Sequence, residues 1–313
     1  MPGAAPRLRR DRVRRTFDRV APQFAAHDFL YREMSRRMAE RLDMVRLKPA
    51  RILDAGCGLG ADRLGLHQRY PEAEWLGLDL SEAMLRQGRT MDQVADHEAQ
   101  GFLRRWWSAT RTPKNTRMVA SLDAIPLATH SVDLVWSNAA LHWLDNLPET
   151  FKECHRVLGI GGLLMFSLFG PDTLKELRQT LSAVEAQAVA RMQAFTDMHD
   201  IGDMLVHAGF SDPVMDMETL TLTYADPWQA LHELQRAGSV AAQIVASAAP
   251  RGLTGRNFWG RVFEHWPRDA DGRYPLTFEL VQGHAWKAAP RQHEDGRAVV
   301  NFMPRPGQPH HRG

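Results

Sequence analysis

The chain has 313 residues, 44% of them hydrophobic and 24% charged, with a net charge of +2. These values fit a soluble globular protein with a sizeable core and argue against a disordered or fibrous chain. No run of 18 apolar residues occurs, so no membrane span is expected. The two cysteines, Cys57 and Cys154, suggest neither a disulfide framework nor a zinc site, and a reducing, cytoplasmic setting fits.

Residues 1–6 read as disordered. Arg7, Arg9, Arg10, Arg12, Arg14, Arg15 and Arg19 crowd the next stretch. A targeting segment is also basic, but Asp11 and Asp18 interrupt this one and serines are missing. The run reads either as a solvated helix face or as a dock for an acidic partner. Residues 7–46 form one or two helices broken at Pro22, with Phe29, Met34, Met38 and Leu42 as an apolar stripe that suits core packing.

The most informative stretch runs from Arg51 to Asp79. Ile52 and Leu53 close a short apolar run that suits a buried parallel strand. Asp54 ends it, and Gly56, Gly58 and Gly60 follow at alternate positions. Such glycines let the chain turn sharply and let a ligand approach the backbone. A helical pattern over 61–70 stops at Pro71. Residues 74–80 read as a second strand carrying Asp79, an acid about 20 residues past the glycines, where a ribose hydroxyl pair would be gripped. Gly56, Gly58 and Ala61 satisfy a loose dinucleotide fingerprint, but Asp54 directly before the glycines would repel a pyrophosphate.

Further along, Ser81 is the expected N-cap of a helix over 81–89 with Met84 and Leu85 facing inward. Residues 90–116 are long for a connection and read as a surface insertion; Trp106 and Trp107 in it form a satellite core or part of a partner surface. Strands are expected over 117–120, 132–137, 163–169, 215–224 and 278–286. A helix over 148–158 ends at Gly159, Gly161 and Gly162, and Asp172 or Thr173 caps the next one. His199, Asp200, Asp203 and His207 could ligate a metal, but the simpler reading is a short helix capped by Asp200 and ended by Gly209; no metal is expected. Residues 226–266 read as mostly helical, a cap between the last two strands, and the tail from Ala288 reads as mobile.

The Asp-x-Gly-x-Gly-x-Gly turn, the D-L-V-W-S-N run (133–138) and the G-G-L-L-M-F-S run (161–167) together resemble the class I S-adenosylmethionine methyltransferases. The resemblance implies an α/β, Rossmann-like fold with a seven-stranded, mostly parallel sheet, capped by N-terminal helices and a late helical insert. The expected divisions are 1–46, 47–223, 224–275, 276–287 and 288–313. It implies S-adenosylmethionine as cofactor, held by Asp54, Gly56, Cys57, Gly58, Gly60, Asp79, Leu80, Met84, Ser121, Leu122 and Asn138. That family usually carries an acid where this chain has Ser121; Asp123 substitutes only if the loop shifts by two residues. Phe24, Tyr31, His142 and Trp143 are placed to face the methyl acceptor.

Longer motifs narrow the resemblance. V-R-R-T-F-D-R-V-A-P-Q-F (13–24), W-S-N-x-A-L-x-W (136–143), F-G-P-D-T-L-K-E-L-R (169–178), M-H-D-I-G-D-M-L-V-H-A-G-F (198–210) and G-H-A-W-K (283–287) are similar to the malonyl-acyl carrier protein O-methyltransferases of biotin synthesis. That likeness implies methyl transfer to the free carboxylate of a malonyl thioester borne by acyl carrier protein, with no nucleic-acid partner. Phe24 stands where that family commonly has tyrosine, and His142 where glutamine is usual. The D-F-L at 28–30, the L-H-W at 141–143 and the F-G-P-D-T-L-K-E-L-R run at 169–178 also resemble a mitochondrial complex I assembly factor described as a protein arginine hydroxylase, and His142 and the hydroxyl lost at Phe24 lean that way, so such a hydroxylase or a non-catalytic S-adenosylmethionine-binding assembly protein is the alternative. The sequence is silent on oligomeric state.

Overall fold

The structure is a computed structural model that describes residues 10–99, 115–185, 194–238 and 255–289. The Trp106–Trp107 pair, Arg7, Arg9 and the tail beyond 289 lie outside the described residues. Two helices come first, α1 (Arg10–Val20) and α2 (Phe29–Leu42). Then follow β1 (Arg51–Ala55), α3 (Arg63–Arg69), β2 (Glu74–Asp79), α4 (Glu82–Ala99), β3 (Asn115–Val119) and β4 (Val132–Ser137). The second half holds α5 (Leu147–Val157), β5 (Leu158–Phe169), α6 (Lys175–Val184), α7 (Met198–His207) and β6 (Ser211–Tyr224). Helices α8 (Pro227–Arg236) and α9 (Gly255–His265) precede the last strand, β7 (Tyr274–Trp286).

The seven strands form one sheet in the order β3-β2-β1-β4-β5-β7-β6. The first five are parallel, while β7 runs antiparallel to both β5 and β6. The central strands are largely apolar and buried along their middles because helices cover both their faces. Successive residues point to opposite faces. Ile52 packs toward Met38, Leu42, Leu66 and Leu85, and its neighbour Leu53 packs with Phe151, Cys154, Ile201 and Leu205. A third cluster joins α6, α8 and α9 to β7 through Leu177, Leu231, Phe258, Trp259 and Phe278. The edge strand β6 instead alternates between exposed and half-buried residues, and Pro213 falls at its register shift between Ser211 and Val214, where an edge strand tolerates it.

Several local expectations are corrected. The inward stripe of α2 is Leu30, Met34, Met38 and Leu42, four residues apart; Phe29 is exposed. Helix α4 runs on to Ala99, well past 89, so the stretch read as an insertion begins as regular helix. Gly159, Gly161 and Gly162 do not sit in a loop after α5 but inside β5, which starts at Leu158 directly after the helix. Neither Asp172 nor Thr173 caps α6: Leu174, in left-handed backbone, occupies that position, and Glu279 accepts the Asp172 N–H. Helix α7 is capped by Asp197 rather than Asp200. The expected Ser81 cap is present, its hydroxyl accepting the Met84 N–H at 3.1 Å.

Lys287 replaces the missing helix cap at the end of α5. Its buried ammonium donates to the carbonyls of His155 (2.6 Å) and Leu158 (2.8 Å), joining the last residues of β7 to that helix end. Lys287→Met keeps the apolar stem but leaves both carbonyls without their donor. It is expected to lower unfolding stability by about 1–3 kcal/mol, read as a shift of the denaturant midpoint at constant slope; an unchanged midpoint would contradict this role.

Candidate active site

The order of the sheet reverses at β1, with β2 and β3 to one side and β4 to the other. Ligands of open α/β sheets bind at such a point, beyond the carboxyl ends of the strands. The cavity lies there. It encloses about 1060 Å³ with its open mouth included.

Its floor is the glycine turn. Gly56 and Gly58 have positive φ, +83° and +52°. A Cβ on Gly56 would also stand 2.3 Å from the Ala140 Cβ, so only glycine fits. The N–H groups of Gly56 and Cys57 both donate to the Leu78 carbonyl. Asp79 then ties the turn to the start of α4, its carboxylate accepting from Gly58 N (2.8 Å) and Ser81 N (2.7 Å). Each carboxylate oxygen retains a further acceptor position for a ligand.

Behind the turn lies Arg117, whose side chain is 3% exposed. It donates to the Leu59 carbonyl (2.8 Å) and to Asp92 on α4 (2.6 Å), and its guanidinium lies 5.2 Å from the Trp75 ring centre. Arg63 takes the other oxygen of Asp92 at 2.8 Å. Gly60 packs against Arg117 rather than against the cavity.

Four carboxylates line the cavity: Asp28, Asp54, Asp62 and Asp79. Burial raises the pKa of every one of them. For Asp54 the shift is large, and the negative Asp62 nearby adds to it. Asp54 Oδ2 makes no hydrogen bond of sound geometry among the described residues, although the nearby Trp75 indole and Arg117 offset part of the shift. Asp62 accepts the Trp136 indole N–H at 2.7 Å. Asp28 has an ion pair with the exposed Arg32 at 2.8 Å, yet its Oδ1 makes no hydrogen bond of sound geometry. Such a group of desolvated acids suits a ligand that brings positive charge.

The remaining wall comes from α1, α2 and the end of β4. Phe17, Phe24, Tyr31 and Trp143 give it an aromatic side, with Phe17 and Trp143 edge to face at 5.1 Å and Phe24 5.1 Å from Tyr31. Asn138 fastens α2 to the sheet: its amide donates to the Tyr31 carbonyl (2.9 Å) while its oxygen accepts the Ser167 hydroxyl (2.8 Å). The Tyr31 hydroxyl in turn donates to the Ala237 carbonyl beyond α8 at 3.2 Å. Burial raises the Tyr31 pKa, so the hydroxyl stays un-ionised. The Trp143 indole N–H, also buried, has no partner among the described residues.

Most residues expected at the site line this one cavity: Asp54, Gly56, Cys57, Gly58, Asp79, Leu80, Met84, Ser121, Leu122 and Asn138, together with Phe24, Tyr31 and Trp143. Gly60 and His142 do not. His142 packs instead against Phe169, with ring centres 4.7 Å apart, and against Trp143 at 5.3 Å. Burial pushes its pKa down to about 3, so it is neutral near pH 7. Ser121 lines the cavity and Asp123 does not; one oxygen of Asp123 pairs with Arg10 of α1. Asp28, Asp62 and Phe17 escaped the sequence reading. The two aspartates precede helices and read as caps, but neither side chain makes a capping bond.

Comparison with known proteins agrees with this geometry. A family model described as a methyltransferase domain matches residues 53–166. A malonyl-[acyl-carrier protein] O-methyltransferase of Gallionella capsiferriformans is 43% identical over 290 residues, covering 92% of this chain and 94% of the relative. The chain belongs to the malonyl-[acyl-carrier protein] O-methyltransferase family. A second member, from Laribacter hongkongensis, is 43% identical over 299 residues, 94% of this chain and 96% of its own. Among solved structures, the YcgJ protein of Bacillus subtilis aligns with a TM-score of 0.54 at 13% identity, over 82% of this chain and 99% of its own. A Haemonchus contortus phosphoethanolamine N-methyltransferase, solved with S-adenosylhomocysteine, aligns at 0.53 and 17% identity over 88% and 60%. These two show that the fold is shared.

The buried Arg117 holds the glycine turn of this family member from behind. Removing it with Arg117→Ala breaks two charge-assisted contacts, worth roughly 1.5–3 kcal/mol each when a charged group is involved. The expected result is a rise in the KM for the methyl donor of about tenfold or more with a smaller change in kcat, partly restored by Arg117→Lys. Equal KM values in all three proteins would show that the turn holds itself.

Proposed function

We propose that this chain transfers a methyl group from S-adenosylmethionine to the free carboxylate of a malonyl thioester carried on acyl carrier protein, giving the methyl ester. The observation that carries the choice of cofactor is the set of buried carboxylates around one cavity, with Asp54 Oδ2 making no hydrogen bond of sound geometry. Bound S-adenosylmethionine supplies a methyl group on a cationic sulfur and an amino group, both of which such acids attract. Asp79 is suited to the ribose hydroxyls, the turn at Gly56 to Gly58 and Asp54 to the amino acid end, and Ser121 and Leu122 to the edge of the adenine. Met84, Leu80 and Cys57 supply apolar surface beside them.

The acceptor needs no general base, because a carboxyl group with a pKa near 4 is ionised at neutral pH. What the chain must do is bring that carboxylate to the methyl group, exclude water and fix the angle. The aromatic side formed by Phe17, Phe24, Tyr31 and Trp143 excludes water. The Trp143 indole N–H is the donor we assign to the acceptor carboxylate, since it is buried in the cavity wall without a partner. His142, neutral and behind that wall, takes no part in proton transfer. The arginine-hydroxylase alternative drew on His142, which does not line the cavity, and on the hydroxyl lost at Phe24, a residue that does.

The deciding experiment is mass spectrometry of malonyl-acyl carrier protein after incubation with the protein and S-adenosylmethionine. The expected product carries one added methyl on the malonyl group, and Asp79→Ala loses most of the activity through weaker cofactor binding. Binding of S-adenosylmethionine by calorimetry without any methylation would overturn the proposed reaction while leaving the cofactor site intact. Trp143→Phe keeps the ring but deletes the donor; we expect about a tenfold loss in kcat/KM for the acceptor, as for one lost hydrogen bond to a charged group, with the KM for S-adenosylmethionine unchanged. A loss in the cofactor KM instead would move Trp143 to the cofactor's side.

A further inference from the structure

Helix α1 carries five arginines and two aspartates over Arg10–Val20. The fold sorts them by face. Val13 and Val20 are buried, and Phe17 between them enters the cavity wall. Arg10 and Arg14, one turn apart, lie on the side that lines the cavity. Arg12, Arg15 and Arg19, spaced three and four residues apart, share another face, and all three are exposed. None of the three takes part in an ion pair among the described residues; Arg15 donates only to the Asp11 carbonyl. Asp18 does not neutralise them, because its carboxylate is spent on α4, accepting from the Ser81 hydroxyl at 2.6 Å. The helix therefore has a cationic outer ridge directly behind the cavity rim, which is itself lined by Arg10, Arg14 and Arg32.

We infer that the ridge of Arg12, Arg15 and Arg19 is the docking surface for the acidic face of the carrier protein, with the thioester arm entering past Arg14. This rests on reading the acceptor as a carrier-borne malonyl thioester. The arginines of a solvated helix face are ordinarily balanced by acids one turn away. Here Asp18 is turned inward and the exposed Asp11 pairs with Arg14 at 3.9 Å, so neither acid is in an ion pair with the ridge. Complementary charge at this position steers the carrier toward the mouth and raises the association rate more than it strengthens the final contact. Arginine also pairs its planar fork with carboxylates in two-point contacts that lysine does not match.

The test compares two acceptors on the full chain. Initial rates are measured with malonyl-acyl carrier protein and with malonyl-pantetheine, which has the arm but no protein. The variants are Arg12→Gln/Arg15→Gln/Arg19→Gln and the corresponding triple glutamate, with thermal unfolding as a check on folding. For the carrier-borne acceptor, KM is expected to rise about tenfold in the glutamine variant and further in the glutamate variant. Its salt dependence should flatten, while kcat/KM for malonyl-pantetheine stays unchanged. Equal losses on both acceptors, or no loss on the carrier-borne one, would overturn the docking surface while the reaction itself stands. A wild-type chain that methylates neither acceptor would overturn the reaction and the surface together. Tighter binding of a short RNA than of the carrier protein, abolished in the variants, would give the ridge to nucleic acid and also overturn the proposal.

Discussion

The constraint on which the site depends is the burial of acids with too little positive charge to balance them. Asp54 is 2% exposed and one of its oxygens makes no hydrogen bond of sound geometry. Taking a carboxylate out of water without pairing it is costly, and proteins hold such groups only where something compensates. The sheet places Asp54 at the end of β1 and Asp79 at the end of β2, so the parallel register itself brings the two together. Helices α2 and α3 add Asp28 and Asp62 from their leading ends. Arg32 offsets Asp28, the Trp136 indole offsets Asp62 and two backbone N–H groups offset Asp79, which leaves Asp54 the least compensated of the four.

The rest of the architecture serves to keep the acids in register. Asp79 clamps the glycine turn from the front and Arg117 clamps it from behind. Asn138 does the same for the opposite wall, linking α2 to the end of β4 and, through Ser167, to β5. Ala139, in left-handed backbone at φ +49°, is held there by two bonds to Ser167, one to the hydroxyl and one to the carbonyl. A non-glycine residue in that region carries strain that the surroundings must impose, and here it turns Ala139 and Ala140 into the cavity.

Those parts of the site that depend on neighbours in sequence were legible before the structure. Asp54, Gly56, Gly58 and Asp79 belong to one strand–turn–helix–strand unit, and their spacing alone implies a common floor. Parts set by packing were not. Phe17 and Asp28 reach the cavity only because α1 and α2 fold back across strands that come later in the chain. An aspartate ahead of a helix, such as Asp62, looks like a cap unless its partner Trp136 is known. His142 failed for a related reason: in the tight turn at Leu141–Trp143, Trp143 reaches the cavity while His142 sits behind it against Phe169. The seven-stranded, mostly parallel sheet followed from the family resemblance, whereas the start of β5 did not, since glycines that usually end a helix here lie within a strand.

The last strand among the described residues, β7, sits inside the sheet, between β5 and β6. Strand β6 therefore leaves the ribosome with no neighbour to pair with, and it stays so while α8, α9 and the intervening segment are synthesised. Its backbone groups find their partners only when Tyr274–Trp286 arrives, in a pairing that spans Ser211 to Tyr224. Contacts this far apart in sequence close slowly and leave apolar strand edges open in the meantime. Completion of the antiparallel wing is thus a late and non-local event in biogenesis, and a nascent chain released before Trp286 would present the bare edge of β5 to its neighbours.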